Sequence, residues 1–411
     1  MQLIPRLRFH ILIFSSALFL FSNSMLGSIY LYLVIIASYG FTKLSSKKKA
    51  SFFLTVLFVM FQIFFLLTNK STIHEYKLIF FSYICLQLIA HYVDVVWYKI
   101  EMLTFYKYIL ANSLFLNITS GPLENPKNLV EKIKLLKINR NGLADGACLI
   151  ISGLFKKTLA DTIFELQLNI LANKPDTGNA IISILFLMSR IYCDFSGYTD
   201  IVRGSALIMG FELNVNFENP YLSTNIVEFW SKWHMSLSDW FKKYIFNPLY
   251  LNLSRSNFPE TLSFFISISS VFVLIGLWHQ LSIKFLYWSL LNIILTCAYL
   301  LFAKKIYLPR FFSWLATMFI VFYLQLIAHT TANIESNNNF LKTITLSSFT
   351  NNYTLQSWFF CLVFFIVPIF FDYIMFKTKK YSLYFLVIIY LEFITLFLLK
   401  PIGKSFIYGQ Y

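Results

Sequence analysis

Uncharged apolar runs recur along the chain, and their lengths set the first expectation. They lie near 11–41, 51–68, 78–99, 103–117, 144–160, 178–211, 262–283, 285–303, 311–330, 357–376 and 381–399. A run of about 18 or more such residues is long enough to cross the hydrocarbon layer as a helix. Thr261 to Ile283, for instance, contains no Asp, Glu, Lys or Arg. None of the long runs alternates with the period of two that a membrane barrel requires, so helices are the predicted spanning element. The pattern predicts an all-α polytopic integral membrane protein with about ten transmembrane helices, some too short to cross alone, plus re-entrant or interfacial helices. The opening MQLIPRLRFH looks like a signal peptide but lacks a small-residue cleavage site, and it is read as part of a retained first helix.

Two polar stretches interrupt this pattern. In NLVEKIKLLKINR (Asn128 to Arg140), Leu129, Ile133 and Leu136 fall at helical spacing beside several lysines, which predicts a helix lying flat on the membrane. The Asn/Ser/Thr-rich stretch Ala332 to Thr354 reads as a loop. No internal repeat is visible, and 1–411 is read as one domain whose most motif-dense segment is 188–283.

Composition agrees with the pattern. Of 411 residues, 58% are apolar and only 13% charged, where a soluble domain is about half apolar and a quarter charged. The net charge of +15 is spread over short clusters: Lys47 to Lys49, Lys132 to Arg140, Lys156-Lys157, Lys242-Lys243, Lys304-Lys305 and Lys377 to Lys380. Such clusters fit positive-inside loops and anionic lipid, and they exclude a nucleic-acid stripe. Positive-inside bias puts Lys47 to Lys49 and Lys156-Lys157 on the cytoplasmic side. The five cysteines stand singly in apolar segments without CxxC spacing, as buried free thiols.

The chemistry concentrates between Ile191 and His279. In DFSGYTD, Asp194 and Tyr198 share a helix face, as do Ser196 and Asp200, and Asp200 can also pair with Arg203. Carboxylates near membrane depth need partners, so these residues either line a cavity or form a network that ties helices together. Asn225 with Glu228 three residues later has the form of a helix cap, which starts a helix near Ile226 and carries it to Tyr244. On that helix Trp230, Trp233, Leu237 and Trp240 form one stripe with His234 beside it. His279 ends the apolar run FVLIGLWHQL. It is either a functional imidazole or a residue closing its helix at the headgroup level. Each histidine directly follows a tryptophan, in Trp233-His234 and Trp278-His279.

With these pieces together, the sequence resembles the membrane-bound O-acyltransferases, in the bacterial branch that contains alginate O-acetylases and teichoic-acid D-alanyl transferases. The matching pieces are DFSGYTD (194–200), NFENPYLS (216–223), EFWSKWHMSLSDWF (228–241) and GLWH (276–279), with weaker matches in GPLENPKNL (121–129) and LFKKTLAD (154–161). The resemblance implies helices around an acyl-transfer tunnel, with His279 as the catalytic base and His234 as a second, orienting or oxyanion-stabilising histidine. It implies that Trp230, Trp233 and Trp278 shape the tunnel and that Ser236, Asn216, Asp194, Ser196, Tyr198 and Asp200 support it. No metal and no tightly bound cofactor is implied. The donor would be an intracellular acyl thioester, acetyl-CoA or an acyl carrier.

The resemblance further implies a multi-pass protein of the cell's inner (cytoplasmic) membrane, working with membrane lipid and an extracytoplasmic polysaccharide-acylating partner protein. The predicted function is transfer of an acyl group, acetyl first, towards hydroxyls of an extracytoplasmic polysaccharide. The end SFIYGQY and the stretch FNPLYLN favour the alginate O-acetylase type, whereas Met235 points towards D-alanyl transfer to teichoic acid. Lys242-Lys243, Gln280 and LIAHTTA (326–332) depart from the family's usual residues and bear on donor or acceptor choice. A non-catalytic transporter or scaffold is the remaining alternative, and it would predict inverted repeats that the chain does not show.

Overall fold

The computed structural model describes residues 7–47, 52–71, 81–116, 118–171, 177–302, 308–329, 365–370 and 372–374. The loop expected at 332–354, the run at 381–399, the end SFIYGQY, Cys361 and the basic clusters at Lys48-Lys49, Lys304-Lys305 and Lys377 to Lys380 lie outside the described residues. Contacts divide the chain into two compact units, Met1–Ile150 with Ile201–Asn214 and Ile151–Asp200 with Val215–Gly409.

The first unit begins with α1 (Arg8–Asn23) and α2 (Met25–Lys47), followed by α3 (Phe52–Ser71), α4 (Phe81–Val96), α5 (Phe105–Ser113) and α6 (Pro126–Lys134). The apolar run expected at 11–41 is thus two helices. Ser24 is extended (φ −159°, ψ 110°), and its hydroxyl accepts the Gly27 N–H at 3.1 Å, so it closes one helix and opens the next. The surface helix expected at 128–140 also differs. Asn125 caps α6 by accepting from Lys127 N and Asn128 N, with Pro126 at the first helical position. Leu129, Val130 and Ile133 are buried, and α6 packs on α4 and α5. Its apolar stripe is therefore covered by protein, and Arg8 reinforces it by donating to the carbonyls of Ile133 and Lys134.

Segments of α7 (Arg140–Leu171) and α8 (Thr177–Met209) contribute to each unit. The second unit adds α9 (Ile226–Lys232), α10 (Met235–Phe241), α11 (Asn247–Arg255), α12 (Glu260–His279), α13 (Ile283–Phe302) and α14 (Arg310–His329). Among the described residues no strand occurs, only an isolated antiparallel bridge between Phe217 and Trp233. The chain is an all-α polytopic membrane protein. Four of its described helices are long and apolar enough to cross a membrane: α2, α12, α13 and most of α14.

The α12–α13 pair shows why these sequences pack as they do. The residues α12 buries are mostly small, Ser263, Ser267 and Gly276 with Val271 and Phe272. The facing side of α13 buries Phe285, Trp288, Ser289, Asn292 and Thr296. Large aliphatic residues such as Leu274, Leu286, Leu290 and Ile294 point outward. In lipid, outward apolar side chains need no shelter, while small and hydroxyl residues let helices approach and bond to each other. The Ser289 hydroxyl donates to the Phe272 carbonyl at 2.9 Å across this pair.

Gly276 is the tightest point. A Cβ there would lie 2.1 Å from Ser289 Oγ and 2.8 Å from the Phe285 carbonyl oxygen. Gly276→Ala is expected to cost about 1–3 kcal/mol through overpacking, read as a lower melting temperature of the detergent-solubilised protein. Ser289→Ala in the same chain should recover part of the loss, because it removes the nearest atom.

Candidate active site

Helix α12 stops at His279 because Gln280 turns extended, its N–H still bonded to the Gly276 carbonyl at 3.1 Å. Two residues later Ser282 N–H closes on the Gln280 carbonyl at 2.9 Å and α13 begins. The half-buried His279 ring stacks on Phe285 (centroids 5.5 Å apart, 17° between planes) and meets Trp278 edge-on at 4.8 Å.

His234 is positioned differently from expectation. The continuous helix predicted from Ile226 to Tyr244 is broken at Trp233-His234. Trp233 is extended, and His234 takes the left-handed conformation (φ 47°, ψ 52°). The reason lies in residues 216–218, whose backbone runs antiparallel beside the break. Glu218 N donates to Lys232 O at 3.1 Å, and Met235 N donates to Asn216 O at 3.0 Å. Backbone groups that a helix would satisfy internally are met by this pairing instead. Asn216 also accepts the Ser236 N–H on its side-chain oxygen at 3.2 Å, and the His234 carbonyl receives Leu237 N and Ser238 N to start α10. Lys242-Lys243 follow in a turn of π-helix, Lys242–Phe246, not a loop. At the start of α9, Asn225 caps as expected by accepting Glu228 N at 2.8 Å. The reciprocal arm of the box goes elsewhere, since the Glu228 carboxylate accepts from Thr224 N and Oγ1.

The break turns His234 inward, and both histidines line one cavity of about 50 Å³. Trp230, Trp233, Phe272, Phe285 and Trp288 form its aromatic wall, and Gln325, Ser238 and Ala328 complete part of the lining. His234 is 3% exposed and packs edge-on to Phe195 at 4.9 Å. It sits between α9 and α10, in none of the four candidate spans. Burial, with His279 nearby adding to it, pushes its imidazole down to about 3, so the ring is neutral at pH 7.

The remaining expected site residues are not among those lining this cavity. Trp278 packs beside His279, and Ser236 and Asn216 hold the turn that carries His234. Asp194 and Asp200 belong to a network of ion pairs in the same unit. Lys157 pairs with Asp194, and Lys156 pairs with Asp200 and Asp372 while Tyr192 donates to Asp372. Ser196 is buried and Tyr198 half-buried on the same turns of α8. Lys156 and Lys157, expected in a cytoplasmic loop, therefore lie inside α7, with the Lys156 side chain only 2% exposed. The physical reason is the need of buried carboxylates for a cation. Sequence reasoning missed Gln325, Phe272, Phe285 and Trp288 as cavity residues. Gln325 carried a usable signal, being a polar residue within an apolar run.

Residues 178–341 match the MBOAT, membrane-bound O-acyltransferase family. The chain is similar to a "probable alginate O-acetylase" of Pseudomonas aeruginosa, 34% identical over 43% of this chain and 34% of the relative. It is also similar to a peptidoglycan O-acetyltransferase of Helicobacter pylori, 29% identical over 58% of this chain and 46% of the relative. A teichoic acid D-alanyltransferase of Bacillus subtilis is 28% identical over 50% of this chain and 54% of that protein. These alignments span about a third to a half of the relatives' lengths. They bear out the family resemblance read from the motifs.

The ion-pair network generates its own test. Lys156→Met strands the carboxylates of Asp200 and Asp372 in a largely buried site, which is expected to cost about 3–5 kcal/mol and to lower the folded yield in membranes. Adding Asp200→Asn and Asp372→Asn should restore much of that yield, because no unpaired charge then remains.

Proposed function

From a family match that includes both histidines, we propose that this protein is a membrane-embedded O-acyltransferase. It moves a small acyl group, acetyl in the first reading, from an intracellular thioester towards hydroxyls of an extracytoplasmic polysaccharide. The observation that carries this reading is the shared cavity, since two histidines 45 residues apart in sequence face one aromatic-walled space. The acetylase relatives support acetyl as the group moved.

In this reading His279 is the general base. Its half-buried ring at the helix end takes the proton of the acceptor hydroxyl as that oxygen attacks the thioester carbon. The C–O bond forms, the C–S bond breaks, and the thiolate leaves with the proton His279 has taken. His234, neutral and held by the left-handed turn, orients the reacting groups. The aromatic wall excludes water that would otherwise hydrolyse the thioester. The site sits in the inner membrane, the donor arm is that of acetyl-CoA or an acyl carrier, and a separate extracytoplasmic protein completes delivery to the polymer.

D-Alanyl transfer from a carrier thioester to teichoic acid is the second reading, favoured by Met235 and by the Bacillus subtilis relative. Supplying acetyl and D-alanyl thioesters side by side separates the two. A transporter would consume neither.

His279→Ala is expected to lower polymer acylation by about 10² or more while the protein still accumulates in membranes. His234→Gly keeps the left-handed backbone free of strain and should reduce acylation less. Undiminished acylation by a stably inserted His279→Ala protein would overturn the base assignment.

A further inference from the structure

Two residues of the histidine cavity carry N–H donors that no protein group satisfies among the described residues. Trp230 lines the cavity, and its indole nitrogen is buried without a hydrogen-bond partner. Gln325, on the candidate membrane span of α14, lines the same cavity and is 5% exposed. No hydrogen bond reaches its carboxamide among the described residues. Helices α9 and α14 pack against each other, which brings the two side chains to one space.

An indole N–H buried without a partner is costly, and a polar side chain placed in a membrane span, as Gln325 is, has no bulk water to serve it. Phe at 230 and Met at 325 would fill similar volumes with no such penalty. The indole nitrogen is only a donor, and the carboxamide has two N–H groups. The ligand that satisfies both is an oxygen with free lone pairs, as a carbonyl oxygen has.

We propose that Trp230 Nε1–H and the Gln325 carboxamide N–H are the donors that hold the carbonyl oxygen of the acyl thioester as it becomes an oxyanion. This rests on the O-acyl-transfer reading and adds the part of the machinery that reading left open. When the hydroxyl oxygen attacks, the carbonyl π pair moves onto that oxygen. The two donors stabilise the resulting negative charge until the C–S bond breaks and the C=O bond re-forms. Donors fixed in a low-dielectric cavity need no reorganisation at that moment, which is why such groups act mainly on kcat. His234 keeps its orienting role.

The test uses full-length protein in membranes and S-acetyl-4′-phosphopantetheine, the arm that coenzyme A and carrier proteins share, with thiol release as the readout. Gln325→Met and Trp230→Phe are each expected to lower kcat by about 10² to 10³ and leave KM within about threefold. Gln325→Glu should be no better than Gln325→Met, because a carboxylate repels the oxyanion. Melting temperatures of the variants are measured in parallel, and if Trp230→Phe folds poorly, Gln325→Met alone decides. Near-normal kcat in Gln325→Met, or a loss confined to KM, overturns the assignment. His279→Ala is run beside them. If wild type and His279→Ala release thiol equally, the acyl-transfer reading fails. If only His279→Ala is inactive and Gln325→Met is normal, this inference alone fails.

Discussion

The short backbone pairing between residues 216–218 and the Lys232–Met235 break is the constraint on which the site depends. A left-handed histidine is unfavourable by about 1–2 kcal/mol for an L-residue, and nothing in EFWSKWHMSLSDWF by itself requires it. The cost is offset because Glu218 N, Met235 N and Ser236 N all find acceptors across or beside the break. Without those bonds the helix would continue from α9 into α10, and His234 would lie beside the tryptophan stripe. With them, the ring turns into the cavity while Trp233 packs among Phe217, Tyr221 and Phe229. Asn216 does two jobs here, through its carbonyl and its side chain, which explains why a residue outside the cavity matters to it.

The second constraint is the membrane itself. Helices α12 and α13 bury serine, asparagine and glycine against each other and leave leucine and isoleucine outside. That arrangement reverses a soluble core but follows from a solvent that is itself apolar. It brings the two helices close at Gly276, one turn before His279. The close approach sets the Phe285 and Trp288 rings beside the imidazole, at centroid distances of 5.5 and 6.4 Å. Loosening the helix pair would therefore move the wall of the cavity as well as the stability of the fold.

These constraints mark what was legible in the sequence. Helix content and the four candidate spans among the described residues follow from composition and run length, because lipid imposes them locally. The two histidines and their tryptophans were legible because polar residues in apolar runs are conspicuous. The break at His234 was not, since its cause lies in residues 216–218 and helical periodicity runs on through it undisturbed. Lys156 and Lys157 read as a loop because charge alone does not reveal a partner. Theirs are Asp200, 44 residues away from Lys156, Asp372, 216 away, and Asp194. The amphipathic stretch at 128–140 was correctly helical in its first part but assigned to lipid, because an apolar stripe reads the same whether protein or membrane covers it.

The placement of charge completes the picture. Two lysines and three aspartates of one unit pair with each other on α7, α8 and the helical residues 372–374. Among the described residues lining the histidine cavity, by contrast, no Asp, Glu, Lys or Arg occurs. A carboxylate there would oppose a developing oxyanion, and a fixed cation would disfavour the imidazolium that forms when a histidine takes the hydroxyl proton. Acyl transfer is better served by neutral imidazoles and fixed N–H dipoles, which stabilise charge only when it appears in the transition state. Pairing the buried ions with each other, away from the cavity lining, makes such a neutral site possible inside a strongly basic chain.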